Sequence, residues 1–384
     1  MGKTNTHFTK PLRRFRGFTL AELVIAVATS SLLVAGMTSA IFLAVRSADG
    51  NSATSLAIEG GLALEDITAE LRDAVYFKQR TATAVMFTVP DRDGDGDVET
   101  IRYSWSGTAG GALNREYNGG SAVAILDDVH AFSLVYNLQS DASVNRLLFV
   151  VPDEYSLDSV DVSKRTAFQG WGYQVTPITA AKAKTALDAA AALAHVVYIS
   201  EKISSSDLTS KLKTTAIGVV SEEGYLNDDF GLTSTDGPGH SGSHIVITDN
   251  SHYITSAFSI GSLQLITSGT QTLRSIDGTI APDLQLLAVK NGSGTQPATI
   301  GVIGTGGALT GSGTAAAPRV ILPFGDNSFD YNKLTSNGLS LVQRAVDWAA
   351  RKVMVSSVGI TLQIGSDSSS AVQTATEIRC KPRA

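Results

Sequence analysis

The chain has 384 residues, of which 43% are hydrophobic and 17% charged, so it can bury one or two cores and is neither disordered nor collagen-like. Its 36 acidic residues outnumber its 30 basic ones, and the net charge of −6 argues against a nucleic-acid partner held through phosphate contacts.

The first predicted element is an apolar helix near the N-terminus. Residues 1–17 carry five basic residues and no acidic one, and residues 18–45 contain a single charge, Glu22. A helix of this length spans the roughly 30 Å hydrocarbon core of a bilayer. The basic flank predicts a single-pass inner-membrane protein with a cytoplasmic N-terminus. A cleaved secretory signal peptide is the alternative that the same composition allows.

Residues 16–23, Arg-Gly-Phe-Thr-Leu-Ala-Glu-Leu, resemble the type IV prepilin cleavage and methylation signal. The resemblance implies that prepilin peptidase removes the leader 1–17 after Gly17, that Phe18 is then methylated, and that Glu22 aligns subunits during assembly. It also implies a helix 18–45 that serves as membrane anchor and filament core. The implied partners are the peptidase, other pilin or pseudopilin subunits and the membrane, in a filament on the periplasmic or extracellular side.

Residues 46–150 are predicted to form the first part of a pilin-like α+β domain. Leu64, Ile67 and Leu71 recur at helical spacing, which predicts an amphipathic helix. Segments with a period of two predict an antiparallel sheet packed on that helix. These segments are 84–89, 100–105, 122–126 and 129–136. Segments 87–90, 101–103 and 128–132 are similar to the globular part of J-type or W-type minor pseudopilins, which implies the same α+β fold.

The loop between two of these strands is rich in aspartate and glycine. Its sequence over 91–97, Asp-Arg-Asp-Gly-Asp-Gly-Asp, places carboxylates at positions one, three and five and glycine at position six of an EF-hand-like loop. Position twelve is Arg102 instead of the bidentate glutamate. A hairpin turn without metal and a calcium site both remain open. The candidate calcium ligands are Asp91, Asp93, Asp95, Asp97 and Glu99.

Residues 151–352 are predicted to form an α/β domain inserted into the pilin-like body. Continuous apolar runs, for example 195–200, 217–221 and 320–324, alternate with helical patterns at 176–194 and 335–352. This alternation predicts a parallel sheet covered on both faces.

Segments 197–200, 222–229, 248–255 and 345–349 resemble the flavodoxin-like, glutamine-amidotransferase-like domains of ThuA type. Amidotransferases of that kind need a cysteine nucleophile. The single cysteine, Cys380, lies outside the domain, which excludes glutamine hydrolysis by that mechanism.

Two further groupings in this domain could carry chemistry. His240, His244 and His252 could meet at a metal ion, and Asp249, Ser251 and His252 invite comparison with a hydrolytic triad. The sequence around them has no nucleophile elbow, and loop histidines are the simpler interpretation.

Strand-like alternation returns in residues 353–384, which suggests that this segment completes the sheet of the pilin-like body. The whole pattern predicts a minor pilin or pseudopilin of a type IV pilus or type II secretion-like filament, which works by assembly and not as an enzyme. Its inserted domain would bind a ligand or partner. The alternative is a membrane-anchored hydrolase with its activity in the α/β domain.

Overall fold

The computed structural model describes residues 58–95, 98–366 and 371–377, the last segment by its backbone alone. The predicted leader 1–17 with Gly17, and the predicted helix 18–45 with Phe18 and Glu22, lie outside the described residues. The chain divides into two compact units, Met1–Glu59 and Gly60–Ala384, and the description below concerns the second.

None of the helices in the described part of the chain is both long enough and apolar enough to cross a membrane. This finding corrects the predicted localisation, a single-pass inner-membrane protein, which is not retained.

A helix, α1 (58–72), precedes an antiparallel sheet of seven strands in the order β1-β2-β3-β4-β5-β17-β18. On α1 the residues Leu64, Ile67 and Leu71 are buried, at the spacing of one helical face. The strands are β1 (Tyr76–Arg80), β2 (Ala84–Val89), β3 (Glu99–Trp105), β4 (Gly111–Tyr117), β5 (Val123–Ser140), β17 (Val353–Ile364) and β18 (Ala371–Glu377).

A second sheet has nine strands in the order β12-β11-β14-β15-β16-β9-β8-β6-β7. Its strands are β6 (Arg146–Val151), β7 (Gln174–Thr179), β8 (Val196–Ile199), β9 (Gly218–Ser221), β11 (His244–Ile247), β12 (Gly261–Gln264), β14 (Gln285–Lys290), β15 (Ala298–Ile303) and β16 (Arg319–Ile321). A separate two-stranded ladder joins β10 (Gly239–Gly242) to β13 (Gln271–Arg274).

Four α-helices accompany the second sheet in the described residues. They are α2 (Ser159–Gly170), α3 (Lys184–Ala192), α4 (Ser205–Leu208) and α5 (Ser336–Ala349). The α5 helix begins where Thr335 accepts a hydrogen bond from the Gly338 amide at 3.1 Å, a side-chain cap of the N-terminus. It packs closely on β9, because a Cβ on Gly218 would lie 2.0 Å from the Ala349 carbonyl oxygen. Only glycine allows this approach.

The predicted fold class is wrong. Strands prevail over helices in the described residues, and the long N-terminal helix of the prediction is not among them. The predicted parallel sheet is mixed: β7, β6, β8, β9 and β16 are parallel, whereas β15, β14, β11 and β12 continue the sheet antiparallel. The described segment between β9 and β16 contains no α-helix that could connect parallel strands, and β11, β12, β14 and β15 within it pair antiparallel.

One predicted helix boundary is also wrong. Thr176 and Pro177 were predicted to open a helix, but both lie in β7. The β7 strand is at the edge of the sheet, where proline is tolerated because its missing N–H leaves no central ladder bond unmade. The helix that follows, α3, begins at Lys184.

Candidate functional site

The strongest candidate site is the loop that joins β2 to β3. Glu99 is the first residue of β3 and pairs with Val89, the last residue of β2. Its side chain is turned inward, so that only 2% of the residue is exposed. One carboxylate oxygen, Oε1, accepts hydrogen bonds from the backbone amides of Arg92 at 2.7 Å and Asp93 at 3.4 Å. The other oxygen, Oε2, is buried and has no hydrogen-bond partner among the described residues.

Two loop aspartates present their carboxylates beside Glu99. Asp91 Oδ1 accepts from the Gly94 amide at 2.6 Å, and Asp93 Oδ1 accepts from the Asp95 amide at 3.2 Å. Such side-chain to backbone bonds are typical of Asx turns and fix the aspartates before any ligand arrives. Gly94 has a φ of +84°, which a residue with a side chain rarely adopts.

The structure brings three of the five predicted calcium ligands together. One oxygen or more from each of Asp91, Asp93 and Glu99 lies within 4.8 Å of the others. Asp95 is exposed and lies outside this group, and Asp97 is not among the described residues. Arg102, at position twelve of the EF-hand pattern, pairs with Glu116 at 2.5 Å and is directed away from the loop carboxylates. Glu99 therefore provides the buried carboxylate that position twelve lacks.

The cationic side chain of this loop, Arg92, forms ion pairs with acidic residues on or beside α1. Arg92 pairs with Glu70 at 3.3 Å and with Asp73 at 3.9 Å, both on or beside α1. Glu70 also accepts hydrogen bonds from Tyr103 at 2.5 Å and from Arg115 at 2.6 Å. Burial raises the pKa of Glu70, but the hydrogen bonds from Arg115 and Tyr103 and the two positive charges outweigh burial and lower it. Glu70 is thus the anion that Arg92 and Arg115 neutralise.

Asp249, Ser251 and His252, which invite comparison with a triad, do not form one. Ser251 Oγ donates to Asp249 at 2.6 Å and not to a histidine. His252 Nδ1 accepts from the Ile254 amide at 3.2 Å, and its ring packs on Trp348 with centroids 4.8 Å apart. His252 therefore does not stand between the serine and the aspartate, and the grouping lacks the geometry of a Ser-His-Asp triad.

The three histidines also remain apart as metal ligands. His240 Nδ1 contacts Ser275 at 3.1 Å and His244 Nδ1 contacts Ser243 at 2.9 Å, while His252 is enclosed beside Trp348. Within the described ranges, the group of Asp91, Asp93 and Glu99 is the one that could hold a metal ion.

Sequence analysis missed a buried ionic cluster at the carboxyl ends of β8 and β9. Lys164 of α2 forms ion pairs with Glu201 and, at 2.7 Å, with Glu222, and lies 3.7 Å from Asp161. Ser200 Oγ donates to Asp161 at 2.6 Å. These five side chains are at most 1% exposed, so no solute reaches them without opening of the fold. The sequence did contain a signal for this cluster, because Glu201 and Glu222 each directly follow an apolar run.

The position of this cluster follows from the strand order. The parallel strands β7, β6, β8, β9 and β16 have the order 2-1-3-4-5 in the chain direction, and the order reverses between β6 and β8. Loops at the carboxyl ends diverge at such a point and leave a crevice. Here the side chains of α2 and of the loops after β8 and β9 fill it, and we interpret the cluster as structural.

No protein-family model matches the sequence, and no curated protein matches it. Among solved structures, a protein from Bacteroides uniformis described as ThuA-like is similar to it with a TM-score of 0.33 and 10% sequence identity. The similarity covers 53% of this chain and 90% of the other chain. A likeness this weak supports no argument about fold or function.

These comparisons correct the predicted identity. No family model and no curated protein matches, and the solved structure described above is not a pilin or a pseudopilin, so the prediction of a minor subunit of a type IV pilus or type II secretion-like filament does not stand. The alternative of a membrane-anchored hydrolase has no support either, because the Asp249, Ser251 and His252 side chains do not form a triad.

Proposed function

We propose that this protein binds calcium at the loop between β2 and β3. The proposal is carried by the Glu99 carboxylate, which is 2% exposed and keeps its Oε2 buried without a hydrogen-bond partner among the described residues. A buried polar atom left unpaired costs about 1–3 kcal/mol, and more when it is charged. A divalent cation held between Glu99, Asp91 and Asp93 removes this cost.

The chemistry of the three ligands favours calcium over other divalent cations. All three are carboxylates, the hard oxygen ligands that Ca²⁺ and Mg²⁺ prefer, and neither a histidine nor a cysteine joins them in the described loop. Calcium binds oxygen at about 2.3–2.6 Å, so ligands on opposite sides of the ion are about 5 Å apart. The three ligand atoms lie within 4.8 Å of one another, which leaves them within reach of one such ion. Magnesium requires about 2.0–2.1 Å and a stricter octahedron.

Calcium at this loop would act structurally and not in catalysis. The loop aspartates flank Arg92 in sequence, and Arg92 pairs with Glu70 on α1. Glu70 in turn binds Tyr103 of β3 and Arg115 of β4. A cation that fixes Asp91 and Asp93 therefore also fixes the residue that links the hairpin to α1. Binding of this kind stabilises a fold by about 2.7 kcal/mol when the free ligand is at 100 times its Kd.

The test is a calorimetric titration of the full chain with CaCl₂ and, separately, with MgCl₂. We expect saturable calcium binding with a Kd of about 10⁻⁴ to 10⁻³ M, as in oxygen-ligand sites of low charge, and weaker magnesium binding. Glu99→Gln keeps an oxygen that accepts from the Arg92 amide but removes the negative charge. This variant is expected to bind calcium at least about tenfold more weakly, a loss of about 1.4 kcal/mol.

The matched control is Asp127→Asn, which removes one exposed carboxylate from β5 of the same sheet and lies outside the loop. It is expected to bind calcium as the wild type does. Equal calcium affinity in the wild type and Glu99→Gln, or no saturable binding by the wild type, would overturn the proposal.

A further inference from the structure

A second cluster of polar side chains lies where β1 meets the loop after β11, and Arg80 is at its centre. Arg80 is 9% exposed, and its Nη2 is buried without a hydrogen-bond partner. Throughout the described part of the chain, no carboxylate lies within ion-pair distance of this guanidinium. Its neighbours are the rings of Tyr136 and Tyr253, each with its centroid 5.8 Å away. These rings offer cation–π attraction, but neither tyrosine hydroxyl accepts a hydrogen bond from Arg80 Nη2.

The other buried arginines show how this fold normally satisfies a guanidinium. Arg319 is 2% exposed and donates to backbone carbonyls, among them those of Thr215 at 2.8 Å and Ala317 at 2.9 Å. Arg274 is 7% exposed and donates to the carbonyls of Gly237 and Gly325. Arg80 has no equivalent acceptor from the described residues, so its donors are available to a ligand.

His252 adds a second unpaired donor next to Arg80. The backbone amide of Arg80 donates to the carbonyl of Ser251 at 3.2 Å, which places His252 beside it. His252 Nδ1 accepts from the Ile254 amide, so the proton of the neutral ring is on Nε2. That Nε2 is buried and has no partner among the described residues. Burial and the Arg80 charge lower the pKa of His252 to about 3, so the ring is neutral at physiological pH.

A second cation, Arg344, faces the ring of Tyr253. Arg344 of α5 lies over Tyr253, with its guanidinium carbon 4.1 Å from the ring centroid. It donates to the carbonyls of Ile254 at 3.1 Å and of Tyr253, and to the Ser256 hydroxyl at 2.7 Å. The acidic side chains of this region are occupied elsewhere. Asp249 accepts from Ser251 and from Gln285, and Asp347 accepts from Tyr173 at 2.7 Å. Arg80 and Arg344 therefore place two positive charges at the Tyr253 ring, and neither forms an ion pair with a carboxylate of the described residues.

We infer that Arg80 and His252, with the positive charge of Arg344 nearby, form a binding site for a small oxyanion such as inorganic phosphate. The guanidinium fork of Arg80 matches the spacing of two oxyanion oxygens, and the His252 Nε2–H can donate to a third. The anion would neutralise the buried positive charge and complete the two missing hydrogen bonds. In this low-dielectric environment such charge-assisted bonds are stronger than at the surface.

The experiment compares thermal unfolding and calorimetric binding in phosphate and in chloride at equal ionic strength, in calcium-free buffer. Calcium-free conditions keep the result independent of the proposed function. We expect phosphate, but not chloride, to raise the Tm and to bind the wild type saturably. Arg80→Met is expected to lose at least tenfold in phosphate affinity, and Arg80→Lys, which keeps the charge but not the fork, to lose several-fold.

Arg146→Met is the matched control, because it removes an exposed guanidinium from β6 and changes the net charge equally. It is expected to bind phosphate as the wild type does. Absence of phosphate binding by the wild type overturns the inference without reference to any variant. Unchanged phosphate affinity in Arg80→Met or Arg80→Lys also overturns it, and would assign the cluster to ordered water.

Discussion

At the scale of single residues, Glu223 at the carboxyl end of β9 makes stability depend on pH. The residue is 6% exposed, and Oε1 accepts from the Tyr225 amide at 2.9 Å. Burial raises the pKa of Glu223 from 4.5 to about 7, although the Tyr225 amide and the Arg274 charge oppose the shift. The folded state therefore binds this proton more tightly than the unfolded state. As the pH rises from about 4.5 to about 7, Glu223 contributes a progressive loss of stability.

Glu223→Gln is predicted to remove this loss, because the amide has no proton to release and its oxygen still accepts from Tyr225. The free energy of unfolding of the wild type should fall between pH 4.5 and pH 8. This fall should exceed that of the variant by up to about 3 kcal/mol. Urea unfolding at the two pH values measures the difference. Glu65→Gln, an exposed change on α1, should behave as the wild type. Equal pH dependence in Glu223→Gln and the wild type would contradict the prediction.

The calcium loop shows what residue patterns reveal and what they leave out. The spacing of Asp91 and Asp93 predicted that their carboxylates could share a cation, and the structure places them together with Glu99. The burial of Glu99 was not predictable, because charged residues are rarely buried and no local pattern marks the exceptions. It results from pairing with Val89 across the hairpin, which turns the side chain to the inner face of the sheet.

At the scale of secondary-structure elements, Lys164 connects α2 to two strands of the second sheet. Its ammonium is fully buried among the carboxylates of Glu201, Glu222 and Asp161. Burial raises the pKa of Asp161, and the positive charge of Lys164 opposes that shift. Oε1 of Glu201 and Oε1 of Glu222 have no hydrogen-bond partner in the described structure. The lysine is thus the cation that makes burial of these acids tolerable.

Lys164→Met is predicted to reduce the free energy of unfolding by about 3–5 kcal/mol, because it leaves several buried carboxylates without a cation. Chemical denaturation measures the loss. Lys184→Met on α3 is the control, since the Lys184 side chain is 49% exposed and its ion pair with Asp188 is a surface pair. A loss in Lys164→Met no larger than that in the control would show that the buried cluster contributes little.

Individual elements with a strong local pattern were predicted well. The alternation over 84–89 coincides with β2, and the helical pattern at 335–352 predicts α5 to within a few residues. The prediction failed at Pro177, where a helix-start signal competes with an edge position in the sheet that only tertiary structure defines. Two segments predicted as separate strands, 122–126 and 129–136, form the single strand β5, which passes through Asp128 with a φ of +55°.

At the scale of the whole molecule, local patterns did not determine how the strands pair. The apolar runs of residues 151–352 predict parallel strands, because continuous hydrophobicity is typical of sheets buried on both faces. The structure pairs β11, β14 and β15 antiparallel. Strand direction depends on the connections, and the loops between these runs hold no crossover helix among the described residues. Hydrophobicity alone carries no information on direction.

The site proposals also depend on this larger organisation. Glu70 on α1, Tyr103 on β3 and Arg115 on β4 are far apart in sequence but form one hydrogen-bonded group that holds Arg92. In the same way, Arg80 is the last residue of β1, yet part of its environment is provided by Tyr253 and Arg344 from the second half of the chain. Neither group of residues lies within one short stretch of the sequence, so no local pattern could predict it.

The most direct test of calcium binding at the β2–β3 loop is crystallographic. Crystals grown with CaCl₂ should give an anomalous difference peak about 2.3–2.6 Å from Glu99 Oε2 and from one oxygen each of Asp91 and Asp93. The same peak should be absent from crystals of Glu99→Gln grown under the same conditions. A loop without an anomalous peak in the wild type, with Glu99 Oε2 bonded to water instead, would contradict the account.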